Sequence, residues 1–318
     1  MITTLRHVRV LVTGVSGFIG SHLARRLVKE GAEVSGLDIK SSNLWRLADI
    51  CDQVKLYSAD LTDFGALQEV MQDIKPQKIF HLAAYVDVSR SLEVLDKMVE
   101  VNVGGTVNLL RALTGVSYDC FVNTGTCEEY GDNPVPFRES QSPNPVSPYS
   151  ASKVATTVFC QMLHKTSGLP IVTLRPFLTY GPAQTNDMLI PSLIQKVLSG
   201  EAFEMTGGEQ TRELNYVDDI VDGFIKASVS PKAIGETINI GNGVEYKIKD
   251  VVALVLRLMN SPTKPKIGAL PYRPGETLHF YCDNTKAKEI LGWTPRVALE
   301  DGLRMTIDWF QRNSQHEK

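Results

Sequence analysis

Two short clusters carry the residue types needed for proton and hydride chemistry. Thr126, Cys127 and Glu128 stand in N-T-G-T-C-E-E-Y-G, and Tyr149 and Lys153 stand in S-P-Y-S-A-S-K. On a helix, Tyr149 and Lys153 share one face, one turn apart. A phenol titrates at about 10 and is a poor base at neutral pH. A neighbouring ammonium favours the phenolate and lowers that value. The pair therefore suits taking a proton from an alcohol while a hydride leaves the same carbon. Taken alone, Tyr and Lys at this spacing decorate many helix surfaces; the weight comes from the rest of the chain.

A hydride needs an acceptor, and the first forty residues supply a place for one. Residues 8–12 form a short apolar run, read as a buried parallel strand. It leads into T-G-V-S-G-F-I-G, with Gly14, Gly17 and Gly20 spaced G-x-x-G-x-x-G. A helix over 18–29 follows, with Ile19, Leu23 and Leu27 on one stripe. Strand, glycine turn and helix form a dinucleotide cradle, with Phe18 and Ile19 opening the helix at the pyrophosphate. The next strand, 33–37, ends in Asp38, placed to bind adenosine ribose hydroxyls. A carboxylate there repels a 2′-phosphate, so the expected cofactor is NAD rather than NADP.

The remaining elements must position these groups. Strands are expected at 54–58, 79–82, 119–123 and 171–174. A long helix is expected over about 92–113, and the Tyr-Lys helix lies between the last two strands. This alternation predicts an α/β doubly wound parallel sheet. Asp60 and Leu61 then fall at the adenine edge, and Leu82, Ala83 and Ala84 allow backbone near the cofactor. Asn102 either ties strand-end loops together at the cofactor or is a buried structural amide. After Arg175 the pattern breaks up into a smaller α/β lobe. Residues 1–175 plus about 213–243 are read as the NAD-binding domain, with two segments of 213–243 returning to the sheet. Residues 176–212 and 244–318 are read as the substrate lobe, closed by an amphipathic helix at 299–310. Arg212 and Arg273 could clamp a diphosphate.

Composition excludes several classes. The 318 residues are 43% hydrophobic and 22% charged, with net charge −3 and no long run of like charge. That describes a soluble globular chain with a sizeable core, not a nucleic-acid or membrane binder. No stretch is long and apolar enough to span a bilayer. The five scattered cysteines form no C-x-x-C and fit a reducing cytosol with free thiols, so the expected location is cytoplasmic and no metal site is expected.

T-G-V-S-G-F-I-G, Asp38, D-L at 60–61, H-L-A-A at 81–84, T-C-E-E-Y-G, Y-S-A-S-K, R-P-F-L-T-Y-G-P and R-P-G-E follow one another over nearly the whole chain. In this order they resemble the extended short-chain dehydrogenase/reductases acting on nucleotide sugars. The resemblance implies a Rossmann domain with NAD, a C-terminal lobe for a nucleoside diphosphate sugar, and a homodimer built on the helices near 92–113 and 149–167. It implies a triad in which Thr126 hydrogen-bonds the sugar 4-hydroxyl, Tyr149 takes its proton, and Lys153 holds the nicotinamide ribose and depresses the Tyr149 pKa. Ser91 is an implied substrate contact.

Two departures bear on the reaction. Leu178 stands where many members carry an Asn that contacts the diphosphate. Cys127-Glu128 stands where 4,6-dehydratases carry Asp-Glu, the acid for the departing 6-hydroxyl and the base for the C5 proton. Thr-Cys-Glu is similar to hexosamine 5,6-dehydratases, and E-E-Y-G to some 4-ketohexose reductases. A thiol, titrating at about 8.5, is already mostly protonated at neutral pH and could serve as the acid; it could equally be a packed small side chain. A ketone at C4 acidifies the C5 hydrogen and gives Glu128 work as a base. The expected function is thus an NAD-dependent nucleotide-sugar dehydratase of the 4,6- or 5,6-type, with a 4-epimerase using the same triad as the alternative. A 4-keto-sugar reductase, needing outside reducing equivalents, ranks below both. A non-catalytic member that had lost Tyr or Lys of the pair is disfavoured by the presence of both.

Overall fold

Runs of apolar residues too continuous for a half-exposed strand become the interior of one parallel sheet. The computed structural model describes residues 5–87, 89–272 and 277–313. Six strands arrive in order: β1 (Arg9–Thr13), β2 (Glu33–Asp38), β3 (Val54–Ser58), β4 (Lys78–His81), β5 (Cys120–Thr124) and β6 (Ile171–Pro176). A seventh, Thr237–Ile240, adds beside β6, and every neighbouring pair is parallel. Across the sheet the order is Thr237–Ile240, β6, β5, β4, β1, β2, β3. Successive residues of β1 enter different cores: Val10 and Val12 pack with Leu23 and Leu27 of α1 (Phe18–Lys29), and Leu11 packs with Leu67 of α2 (Phe64–Ile74). Both faces are covered, as the period of two along a strand requires. This is the doubly wound Rossmann sheet expected from the sequence.

Beyond β6 the elements are short. Thr211–Glu213 pairs antiparallel with Glu245–Lys247, and helices Leu189–Ser199, Ile248–Leu258 and Leu299–Asn313 pack beside them. Of the two segments of 213–243 expected to rejoin the sheet, only Thr237–Ile240 does. Asn215–Tyr216 pairs with Thr179–Tyr180 instead. The sheet edge beside β6 is already taken, and the Val217–Val229 helix begins at once after Tyr216. The expected single helix over 92–113 is also broken. A 3₁₀ turn (Leu92–Val94) and a short helical turn (Leu95–Lys97) lead into a π-helical stretch (Met98–Gly104), then an α-helix (Gly105–Ala112). An extra residue in a turn leaves the apolar spacing nearly unchanged, so periodicity could not register it.

One buried network locks β1, β4 and this helix together. His81 Nδ1 lies 2.8 Å from Thr13 Oγ1, and Nε2 lies 2.9 Å from Thr106 Oγ1. The Thr106 hydroxyl donates to the Asn102 carbonyl at 2.6 Å, so it can only accept from His81. Nε2 therefore carries the proton, and Nδ1 accepts from Thr13. Thr13 Oγ1 in turn accepts from the Ala83 amide at 3.1 Å, fixing the backbone just past β4. A second proton, on Nδ1, would turn the Thr13 hydroxyl from donor to acceptor and cost it the partner for its own proton. Burial, reinforced by the charge of Lys153, pulls the His81 pKa down to about 3. In the unfolded chain the ring takes its proton at about 6.5, so the unfolded state binds more protons between these values. Stability from this group is complete above about pH 6.5 and is lost as pH falls towards 3. From pH 6.5 to 5 its slope should approach about 1.4 kcal/mol per pH unit. Denaturant unfolding of a His81→Asn variant should be flatter over that window by this amount; equal slopes would show that His81 is not held neutral.

Candidate active site

The strand order reverses between β1 and β4, and the carboxyl ends of their strands open a crevice there. The chain turns out of β1 through Gly14 at φ +67°, where a Cβ would lie 2.8 Å from the Ala83 nitrogen. Only glycine allows this turn to close against the backbone after β4. At Gly20 a Cβ would run into the Gly14 carbonyl, so α1 starts in direct contact with the turn. Gly17 is the N-cap of α1 and offers no side chain to its first amides. Those N–H groups, with the positive end of the helix, face a cavity of about 600 Å³. Gly14, Gly17, Phe18, Ile19, Gly20, Asp38, Asp60, Leu61, Leu82, Ala83 and Ala84 all form its wall, as the sequence anticipated. A backbone-lined anion site at one end and small apolar residues along the floor fit a dinucleotide.

Asp38 is held at the end of β2 by its neighbours. Oδ2 accepts from the amide and hydroxyl of Ser16, at 3.0 and 2.6 Å, and Oδ1 from the Ile39 amide at 2.9 Å and the Ser42 hydroxyl at 2.5 Å. Ser16 is a residue the glycine pattern concealed: it sits between two of the glycines and ties the turn to the end of β2.

At the other end of the cavity stand Thr126, Tyr149 and Lys153. Ser147 caps the helix Pro148–Ser167, its hydroxyl accepting from the Ser150 amide. That start aims Tyr149 and Lys153 into the crevice. Lys153 Nζ donates to the Thr124 carbonyl at 2.9 Å and lies 6.0 Å from the Tyr149 ring centre. Thr126 lies at the cap of the turn Cys127–Tyr130, its hydroxyl accepting from the Glu128 amide at 3.3 Å.

A family model described as GDP-mannose 4,6 dehydratase matches residues 11–306. A UDP-glucose 4-epimerase from Mycolicibacterium smegmatis is 36% identical over 96% of this chain and 100% of its own. Among solved structures, a dTDP-glucose 4,6-dehydratase from Streptomyces venezuelae with NAD bound superposes with a TM-score of 0.87, at 30% identity over 96% of this chain and 98% of its own. A UDP-glucuronic acid 4-epimerase from Bacillus cereus, with UDP-glucuronic acid and NAD, gives 0.86 at 31% identity over 95% and 99%. This chain belongs to the NAD-dependent nucleotide-sugar epimerase/dehydratase family.

Within this extended short-chain dehydrogenase/reductase several expected residues stand elsewhere than foreseen. Asn102 is not on the cavity wall. Its Oδ1 accepts from the Tyr85 amide at 2.7 Å, and its Nδ2 donates to the Tyr85 carbonyl at 3.0 Å and to Ser152 Oγ at 2.9 Å. It clamps the loop after β4 to the helix of Lys153, a tie one layer behind the cofactor site. Tyr85, Lys97 and Val101, which the sequence reading passed over, are on the wall. Cys127 is buried against Tyr130, Phe137, Phe177 and Cys282. Neither it nor Glu128 lies on the cofactor wall. Ser91 caps the turn Leu92–Val94, its Oγ accepting from the Glu93 amide at 3.2 Å, and Arg212 donates to the carbonyls of Thr211 and Thr277 at 2.7 and 2.9 Å; both lie off that wall. Arg273 lies outside the described residues.

The electrostatics reverse one expectation. Whatever Lys153 contributes, the Tyr149 phenol stands above its ordinary value in the protein alone. Burial raises it, the charge of Glu128 pushes the same way, and the Thr126 hydroxyl only partly opposes them. Burial pulls the Lys153 ammonium down to about 8, against the carboxylate of Glu129. Burial pushes the Cys127 thiol well up, so it stays protonated.

Asp38→Ala should narrow the preference for NAD over NADP, because the charge facing a 2′-phosphate is gone. Calorimetric titration of both cofactors checks this, and equal affinities in the unaltered enzyme would remove Asp38 from the ribose site.

Proposed function

We propose that this enzyme is a nucleotide-sugar dehydratase of the 4,6- or 5,6-type, acting by transient oxidation at C4. The observation supporting it is the charge of Glu128 at Tyr149: after burial, it is the largest influence on the phenol. In this reading Glu128, on the turn capped by Thr126, is the carboxylate that serves C5. Tyr149 takes the 4-hydroxyl proton while Thr126 aligns that hydroxyl. Glu128 then removes the acidified C5 proton, and Cys127, kept protonated by burial, gives one to the departing 6-hydroxyl. Bound NAD supplies the hydride acceptor and a positive charge that favours the Tyr149 phenolate. A cofactor that cycles in place needs no outside reductant, which ranks the keto-sugar reductase reading lower.

A 4-epimerase reading has its own support. The Cys127 thiol packs among aromatic rings, and a thiol so placed has no leaving hydroxyl to serve. Glu128 would then be a bystander. In both readings residues 1–175 with about 213–243 bind NAD, and the remainder holds a nucleoside diphosphate sugar. Arg212 and Arg273 are the proposed diphosphate contacts, and Ser91 a further substrate contact. Leu178, packed against the core, leaves the polar contact to them. All five cysteines are free thiols, in keeping with the reducing cytoplasm we propose as its location. Among the described residues no helix is long and apolar enough to cross a membrane.

Glu128→Gln decides between the two outcomes. It keeps size and hydrogen bonding but cannot take a proton. In a dehydratase it should lower water loss by roughly 10²–10⁴-fold and leave reduced cofactor on the enzyme, seen by absorbance after adding substrate. Unaltered enzyme in deuterated water should place one deuterium at C5 of a 4,6-dehydratase product and none in a 5,6-dehydratase product. Mass spectrometry on UDP-, dTDP-, GDP- and CDP-sugars reads the loss of one water. A Glu128→Gln enzyme within a few-fold of normal, with product mass unchanged, would establish the epimerase.

The homodimer is proposed on a second surface. Val99 of the π-helical stretch and Val158, Phe159 and Met162 of the Pro148–Ser167 helix are exposed on two elements that pack together. Apolar side chains at such a density suit an isologous two-fold contact. Phe159→Glu should yield a monomer by light scattering at micromolar concentration; a monomeric unaltered enzyme would sink the assignment.

A further inference from the structure

Beneath the reacting groups lies an ion pair to which the reaction gives no role. The side chain of Glu129 is 0% exposed and that of Arg175 4%. Glu129 Oε2 accepts from Arg175 Nε at 3.0 Å and Nη2 at 2.7 Å, a bidentate pair. Oε1 accepts from the Thr126 amide at 2.9 Å and the Thr157 hydroxyl at 3.1 Å. Arg175 also lies 4.6 Å over the Tyr130 ring. A Cβ at Gly125 would run into Glu129 Oε1, so glycine is required for the carboxylate to reach back beneath Thr126. This is more than a core salt bridge. One carboxylate oxygen grips the backbone of Thr126, which shares the cavity wall with Tyr149, and the other is anchored on the sheet through β6.

We propose that Glu129 and Arg175 are the positioning pair of this active site: Glu129 fixes the Thr126 backbone and supplies the negative charge that keeps the buried Lys153 protonated. The proposal rests on Tyr149 and Lys153 carrying the reaction, and not on whether dehydration or epimerisation follows. The groups facing Lys153 are Glu129 from the Thr126 turn, His81 from β4, and Tyr149 and Cys160 from its own helix. His81 is neutral and burial keeps the Cys160 thiol protonated, which leaves Glu129 as the charged group of that set. Glu129 itself faces Arg175, Tyr149 and Cys160, with Thr157 as a neutral donor. Removing its charge leaves the desolvation of the Lys153 ammonium unopposed.

The test is the titration of Lys153 in full-length protein labelled with ¹³C at lysine Cε, its signal assigned by loss in Lys153→Arg. Glu129→Gln should lower the Lys153 midpoint by about one pH unit or more, since a nearby opposite charge moves a pKa by roughly 1–3 units. Glu129→Asp keeps the charge and should leave the midpoint within about 0.3 unit. Its shorter arm should misplace Thr126 and cut kcat about tenfold or more with little change in KM. Arg175→Lys keeps the counter-charge and should not lower the midpoint, which preserves the test if Glu129→Gln does not fold. An unmoved midpoint in Glu129→Gln, or an equal drop in Glu129→Asp or Arg175→Lys, overturns the proposal. The titration needs no substrate. Absence of turnover on any nucleotide sugar would instead overturn the reaction proposed above and leave the Lys153 result standing.

Discussion

Burying the Lys153 ammonium is the constraint on which the rest of the site depends. A charge taken out of water is costly unless it is paired and hydrogen-bonded. Here one bond goes to the Thr124 carbonyl at the end of β5, and the opposing charge comes from Glu129. Glu129 is itself buried and needs Arg175, which needs β6 beside β5. The neighbouring histidine must then remain neutral, which its burial beside the Lys153 charge ensures, and the bonds through Thr13 and Thr106 place its one proton on Nε2. The same desolvation raises the phenol of Tyr149, so the protein alone holds it protonated, where the proposed reaction would use it as a base. In the proposed reaction, bound NAD would supply a positive charge that favours the phenolate.

Geometry brings these groups together because every strand of the sheet runs the same way. The glycine turn after β1, the backbone after β4 and the Thr126 turn after β5 all fall at the carboxyl ends of adjoining strands. The cofactor ends of the cavity are thus built from backbone, where missing side chains matter, and the reacting end from side chains, where burial matters. Asn102 links the two. It holds Tyr85 on the cofactor side and Ser152, next to Lys153, on the other.

That link also reaches the surface. Asn102 lies in the π-helical stretch whose Val99 is exposed beside the Pro148–Ser167 helix. The helix that presents Tyr149 and Lys153 inward carries Val158, Phe159 and Met162 outward, so one rigid element serves both the site and the apolar face.

The sequence by itself determined whatever is encoded in local spacing. Glycines at a strand-to-helix turn, an acid at the next strand end, and Tyr and Lys four apart after a capping serine each have one local meaning. The sheet, the cofactor cradle and the placement of Thr126, Tyr149 and Lys153 at one cavity were legible for that reason. Tertiary structure decided what depends on distant partners and on exclusion of water. Glu129 looks like half of an ordinary E-E pair until Arg175, 46 residues away, closes on it. Asn102 could have faced the cofactor until Tyr85 and Ser152 took its amide. The π-helical stretch hid inside an unbroken apolar period, and Asn215–Tyr216 reads as a sheet strand until Thr237–Ile240 takes the open edge. The direction of the Tyr149 shift could not be read from a neighbouring lysine, because the neighbour's charge is local and the burial that outweighs it is a property of the whole fold.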